Sequence, residues 1–193
     1  MKITYAPLQA ISSPPAPADT HTRRADARPT QPSVSAADIG LLLLRATTGL
    51  LLAAHGAQKL FGLFGGPGLH ATGKGFAALG YHPSEFFAGL AGASELVGGL
   101  GLALGLLTPL AAAAVVGVMI NAMVVTSSHG LWATNGGIEY PLSIAVVAVA
   151  VAAVGPGRLA LDRPFRWRDG GMLPAATALC LGGIGAAIIL ALR

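Results

Sequence analysis

Residues 86–132, FFAGLAGASELVGGLGLALGLLTPLAAAAVVGVMINAMVVTSSHGLW, hold one formally charged side chain, Glu95, in two apolar runs parted only by Thr108-Pro109. Crossing a bilayer core takes roughly 20 helical residues at 1.5 Å each, and either run suffices. Two spans with so short a link must fold back as a tight antiparallel hairpin. Outward from this hairpin lie three more apolar stretches, so the candidate spans are 39–61, 86–107, 110–132, 137–154 and 172–192. The fourth is the shortest; Pro141 suits its first turn, Glu139 suits the positive end of its dipole, and Gly155-Pro156 stops it. Ala, Gly and Leu interleave without alternating polar positions, which excludes an outer-membrane barrel. The fold class is all-α, a polytopic transmembrane helical bundle.

Composition agrees. The 193 residues are 53% hydrophobic and only 10% charged, and the mean hydropathy is +0.67, a balance that membrane solvation explains. No room is left for a large soluble catalytic domain. The single cysteine, Cys180, lies in the last span, so the chain has no internal disulfide and no CxxC pair, and dithiol chemistry by this chain alone is excluded. The net charge of +4 does not indicate nucleic acid, because eight of the twelve basic residues fall in two segments beside apolar runs.

Those two segments set the orientation. Residues 1–36 are rich in Pro, Ala, Ser and Thr and read as a disordered tail; Arg23-Arg24 is followed by Ala25, Asp26 and Ala27 rather than by the apolar core of a signal peptide. The tail carries Lys2, Arg23, Arg24 and Arg28, and the connection after the fourth span carries Arg158, Arg163, Arg166 and Arg168. Four crossings put both on one side, which the positive-inside rule makes cytoplasmic. The N-terminus is then inside and the C-terminus outside, with Tyr81, Trp132 and Tyr140 at the outer headgroup level and Trp167 at the inner one.

Small residues and a near-miss motif have plain readings. GLHATGKG, residues 68–75, approaches a phosphate-binding loop, but Gly75 replaces the hydroxyl residue that would hold magnesium and no strand precedes it. The 62–85 segment reads instead as an irregular connection, with Phe76, Leu79 and Tyr81 on the membrane surface. Gly98, Gly99, Gly101 and Gly105 invite close approach of a neighbouring helix, and Gly182, Gly183 and Gly185 form a similar face that is a candidate homo-oligomer contact.

Ionisable groups within the spans carry more information, since a charge at bilayer centre costs about 2.5–3.5 kcal/mol even on the lenient insertion scale. Counting from the span ends puts Arg45, Glu95 and Asn121 at nearly one depth, a structural ion-pair cluster in which Arg45 pairs with Glu95. A second layer lies toward the outer face: His55, Gln58 and Lys59 end the first span, His129 ends the third, and Glu139 with Tyr140 opens the fourth. His55 and Lys59, four apart, share a helix face; Gln58 cannot share it with both. Ligation of haem b by His55 and His129, or of zinc by His55, His129 and Glu139, has no supporting spacing or motif, so no metal site is assigned.

RATTGLLLAAHGAQKLFGLFGGPGL at 45–69, ASELVGGLGLALGLLTPLAA at 93–112, GGIEYPL at 136–142 and the end of the fourth span at 153–162 together resemble the DoxX family of bacterial membrane proteins. The resemblance covers about residues 39–162 and lies in the ordered combination of motifs. It implies a four-helix DoxX-like core, here residues 37–162, to which residues 163–193 add a cytoplasmic loop and a fifth C-terminal span. It further implies a place in the bacterial inner (plasma) membrane and an association with redox chemistry, since the family takes its name from subunits of a thiosulfate:quinone oxidoreductase. Arg45, His55, Gln58, Lys59, Glu95, Glu139 and Tyr140 are the residues carried by the matching motifs. The expectation is a membrane subunit of a quinone-linked oxidoreductase system that works with a redox partner protein, its outer layer holding a quinone. The alternatives are a non-catalytic anchor or assembly partner, and a small-molecule permease whose path Arg45 and Glu95 would mark.

Overall fold

A computed structural model of the chain describes residues 34–193; the expected disordered tail falls almost wholly outside them. Helix α1, Ala36–Phe61, starts at a capping box: the Ser35 hydroxyl accepts from the Asp38 amide at 3.2 Å while the Asp38 carboxylate accepts from the Ser35 amide at 2.9 Å. It ends at Gly62, whose φ of 71° is the left-handed cap glycine supplies without penalty. There follow α2 (Gly68–Ala78), α3 (Ser84–Leu104), α4 (Thr108–Thr126), α5 (Glu139–Val154) and α6 (Met172–Ala191). Four of these, α1, α3, α4 and α6, are long and apolar enough to cross a membrane. At 16 residues, α5 is about 24 Å long, short of a hydrocarbon core about 30 Å thick.

Helix α3 is the centre of the bundle, with α1 on one side and α4 on the other; α4 in turn carries α5 and α6. Glycine permits the α1–α3 approach. A Cβ added at Gly99 would stand 2.6 Å from the Gly49 carbonyl oxygen, and one at Gly56 would stand 2.5 Å from that of Gly92. Backbone packed on backbone replaces the hydrophobic drive that is missing between helices in lipid. Gly98 and Gly101, by contrast, face α4, and Gly182 of α6 faces Ala113 and Val116 of the same chain; Gly183 and Gly185 meet nothing.

Three sequence expectations change here. The 62–85 segment is not irregular, for it contains α2, an amphipathic helix laid against α3. Tyr81 does not stand at the headgroups: it is 2% exposed, between the rings of Phe76 and Phe87 at 5.3 and 5.4 Å. The α-helix of the third span stops at Thr126, and a 3-10 turn, Ser127–His129, carries the span on to His129.

The two ends of the bundle differ. At one, the α5–α6 connection folds over the start of α1 and the α3–α4 turn, with the Arg158 amide donating to Asp38 Oδ1 at 3.1 Å and the Asp162 amide to the Gly105 carbonyl at 2.8 Å. At the other, Arg193 donates from Nε to the Leu79 carbonyl at 2.7 Å and lies over the Tyr81 ring at 5.5 Å. The start of α1 and the end of α6 are therefore at opposite ends. Burial pushes the Tyr81 phenol above the ordinary tyrosine range, with Arg193 partly offsetting the shift.

Candidate functional site

Arg45 does not pair with Glu95. Its Nη1 donates to the Ala103 carbonyl at 2.6 Å and its Nη2 to the Leu159 carbonyl, while Asp162 lies within electrostatic reach. The guanidinium thus meets the Ala103 carbonyl in the last turn of α3, where a cation complements the helix dipole, and ties it to the α5–α6 connection through Leu159. Asp162 does the reciprocal work at the start of α4: its two carboxylate oxygens accept from the Leu107 and Thr108 amides, each at 2.7 Å. That grip fixes the α3–α4 turn, in which Leu107 takes a left-handed φ of 48° that a leucine rarely adopts. Arg45 and Asp162 are both fully buried and join α1, the hairpin and the α5–α6 connection at one point.

The register of α1 on α3 keeps Arg45 and Glu95 apart. Gly49 against Gly99 and Gly56 against Gly92 put residue 45 beside the end of α3 and residue 95 beside residues 53 to 56. Arg45 and Glu95 are then about eight residues, or about 12 Å, apart along the axis. Counting from span ends missed this because α1 begins three residues earlier than its apolar run and outlasts α3 in length. Asn121 joins neither group; its Nδ2 donates to the Gly117 carbonyl at 3.1 Å and its Oδ1 accepts from the Tyr81 hydroxyl at 3.4 Å.

Glu95 pairs instead with Lys59. The carboxylate side chain is 5% exposed and the lysine 28%, so the pair reaches from the interior to the surface of the bundle. Glu95 Oε1 takes the ammonium, while Oε2 is buried with no hydrogen-bond partner among the described residues. Across from them His55 meets the Tyr140 ring edge-on, with centroids 5.9 Å apart at 70°, and Tyr140 lies within electrostatic reach of Glu95. These four side chains line a cleft of about 310 Å³ whose other walls are mostly apolar or glycine, notably Leu52, Met119 and Gly137, with Thr126 the one further polar side chain, its hydroxyl donating to the Ala122 carbonyl at 2.8 Å. Four helices build it, α1, α3, α4 and α5.

The remaining predicted residues take other places. Gln58 has Nε2 3.4 Å from the Phe64 carbonyl and lines an adjoining cleft with Thr72 and Phe76, a cleft that His55 and Lys59 also line. His129 is exposed, with Nδ1 3.3 Å from the Thr126 carbonyl, and is absent from the cleft wall. Glu139 accepts from the Ala133 amide at 2.9 Å and closes the turn before α5. Of the expected outer layer the structure brings together His55, Lys59 and Tyr140, and adds Glu95. Among the described residues no three His, Cys, Asp or Glu side chains gather as metal ligands would.

The arrangement has a definite chemistry. Lys59, the Tyr140 hydroxyl and a His55 N–H are donors around a small volume, and Glu95 is an acceptor with one oxygen to spare. Lys59 and His55 also reach the surface of the bundle.

The DoxX family profile matches residues 40–128, which are α1 to just beyond the end of α4. The uncharacterized membrane protein Rv3486 of Mycobacterium tuberculosis is 31% identical over 134 residues, covering 64% of this chain and 79% of that protein. No solved structure matches the chain. Residues 45 and 95, which the fold puts to separate uses, both lie inside the matched segment, and on this sequence and this helical architecture the chain is an integral membrane protein of the DoxX family.

Proposed function

We propose that the chain is the membrane subunit of a quinone-linked oxidoreductase system of thiol or thiosulfate type, and that the cleft of α1, α3, α4 and α5 holds the quinone headgroup. The observation that supports this best is the buried Glu95 Oε2, unpartnered beside Lys59 in a cleft ringed by donors. A buried carboxylate oxygen without a partner is costly and calls for a ligand or a proton. A quinone headgroup presents two carbonyl oxygens, which Lys59 on one side and Tyr140 or His55 on the other can hydrogen-bond. The bound quinone supplies two-electron, two-proton chemistry; Glu95 and His55 are placed to hold and pass the protons. Electrons come from a partner protein, since the only cysteine, Cys180, is an exposed residue of α6. In this reading the protein sits in the bacterial plasma membrane, with the Arg158–Asp162 end cytoplasmic and the cleft toward the outer face.

The test is quinone retention. The full chain is purified in mild detergent, extracted, and its quinone measured by absorbance against Tyr140→Phe, His55→Ala and Glu95→Gln. At least a fivefold loss is expected in the His55 and Glu95 variants, with their folding confirmed by thermal unfolding. Equal quinone in all four proteins would overturn the reading and leave a non-catalytic anchor, whose buried charges serve only to hold the bundle together.

A further inference from the structure

At the opposite end of the bundle a cleft of about 510 Å³ lies between the first turns of α1, the end of α5 and the α5–α6 connection. Arg158, Arg163 and Arg168 line it, together with Asp38 and Asp169. The acids offset part of its charge. Asp38 caps α1, with Oδ1 accepting from the Arg158 amide and Oδ2 from Ser35, and its carboxylate also attracts the Arg158 charge, while Asp169 lies 3.3 Å from Arg168 Nε. Arg163 has no hydrogen-bond or ion-pair partner among the described residues. Arg163 is thus the cation that the acids of the cleft leave unmatched, and guanidinium forks suit the paired oxygens of a phosphate.

Its walls are not those of a site for a free anion. Leu41 and Val154 line the same cleft at the points where α1 and α5 leave the apolar layer. The first residues of α6, Met172 and Leu173, which follow Asp169 by three and four positions, are 84% and 79% exposed, as side chains lying in acyl chains would be. Trp167, next to Arg168, stacks on Phe165 at 4.9 Å, an aromatic pair suited to the headgroup level.

We infer that this cleft is a binding site for the phosphodiester headgroup of an anionic phospholipid, held by Arg163 and Arg168 with its acyl chains along Leu41 and Val154. Basic pockets at helix ends recognise such headgroups through phosphate contacts added to the apolar contact of the chains. The site is independent of the quinone cleft, from which it is separated by the length of the bundle.

The experiment titrates the full-length protein in mild detergent with phosphatidylglycerol, phosphatidylcholine or inorganic phosphate, and reads bound lipid by native mass spectrometry. Phosphatidylglycerol should bind at least fivefold more tightly than phosphatidylcholine. The preference should vanish in R163Q/R168Q and persist in R166Q, which removes the same kind of charge from outside the cleft. Should the double variant fold poorly, R163Q alone, an exposed position, should still weaken phosphatidylglycerol at least threefold. Equal binding of the two lipids, or an equal loss in R166Q, would overturn the site. Displacement of phosphatidylglycerol by an equal concentration of inorganic phosphate would assign the cleft to a soluble phosphate and overturn the lipid.

Discussion

Lys59 and Glu95 make unequal demands on their surroundings. Lys59→Ala strands a carboxylate that is 5% exposed, and uncompensated buried charges cost about 3–5 kcal/mol. Glu95→Gln strands only a lysine whose ammonium can swing outward, so about 1 kcal/mol is expected. Thermal unfolding in detergent should rank the two in that order, and Lys59→Met with Glu95→Gln should recover most of the larger loss; the reverse order would mean that Glu95 is protonated and not paired. Arg45→Ala, which orphans the carbonyls of Ala103 and Leu159, should cost about 1–3 kcal/mol for each. Its effect should add to that of Glu95→Gln within about 0.5 kcal/mol, since the two sites share no partner.

Among the helices, the α1–α3 seam and the outer face of α6 provide a matched comparison. Gly99→Ala drives a methyl into the Gly49 carbonyl and the Ala53 backbone, atoms that cannot rotate away, so the helices must part at a cost of about 1–3 kcal/mol or more. Gly183→Ala meets open space and should leave the melting temperature unchanged or slightly raised. Equal losses would show that Gly183 packs against a second copy. This seam also separates what sequence could reveal from what it could not. Apolar run length identified the five long or apolar helices, because lipid requires continuous hydrophobicity whatever the tertiary fold. It could not give their register, and with it the partners of Arg45 and Glu95, because a shift of one turn along a glycine-lined face leaves composition unchanged. His55, Lys59 and Tyr140 were legible as one layer because all three lie near helix ends. Glu95 was missed from that layer, although pairing Gly56 with Gly92 along two antiparallel helices would have placed it there. Helix α2 was missed because its glycines and proline-flanked start weaken every local helix signal.

For the whole molecule, the clasp of Arg158 on Asp38 and that of Arg193 on Leu79 hold opposite ends of the bundle, and only an odd number of crossings between them satisfies both. Alkaline phosphatase fused after Asp169 should be silent in bacteria, and fused after Arg193 should be active. Two active fusions, or two silent ones, would show that α6 does not cross.

The shortness of α5 bears on the surrounding lipid. Its first turn, at Tyr140, is level with His55, six residues or about 9 Å before the end of α1, so the deficit of length falls on the cleft side. A bilayer matched to α1 would have to dimple there, drawing headgroups and water down toward Tyr140. If the cleft holds a quinone as proposed, the protein should therefore sense membrane thickness: reconstituted in phosphatidylcholines of increasing acyl length, quinone binding should fall as thicker bilayers close the dimple over the cleft.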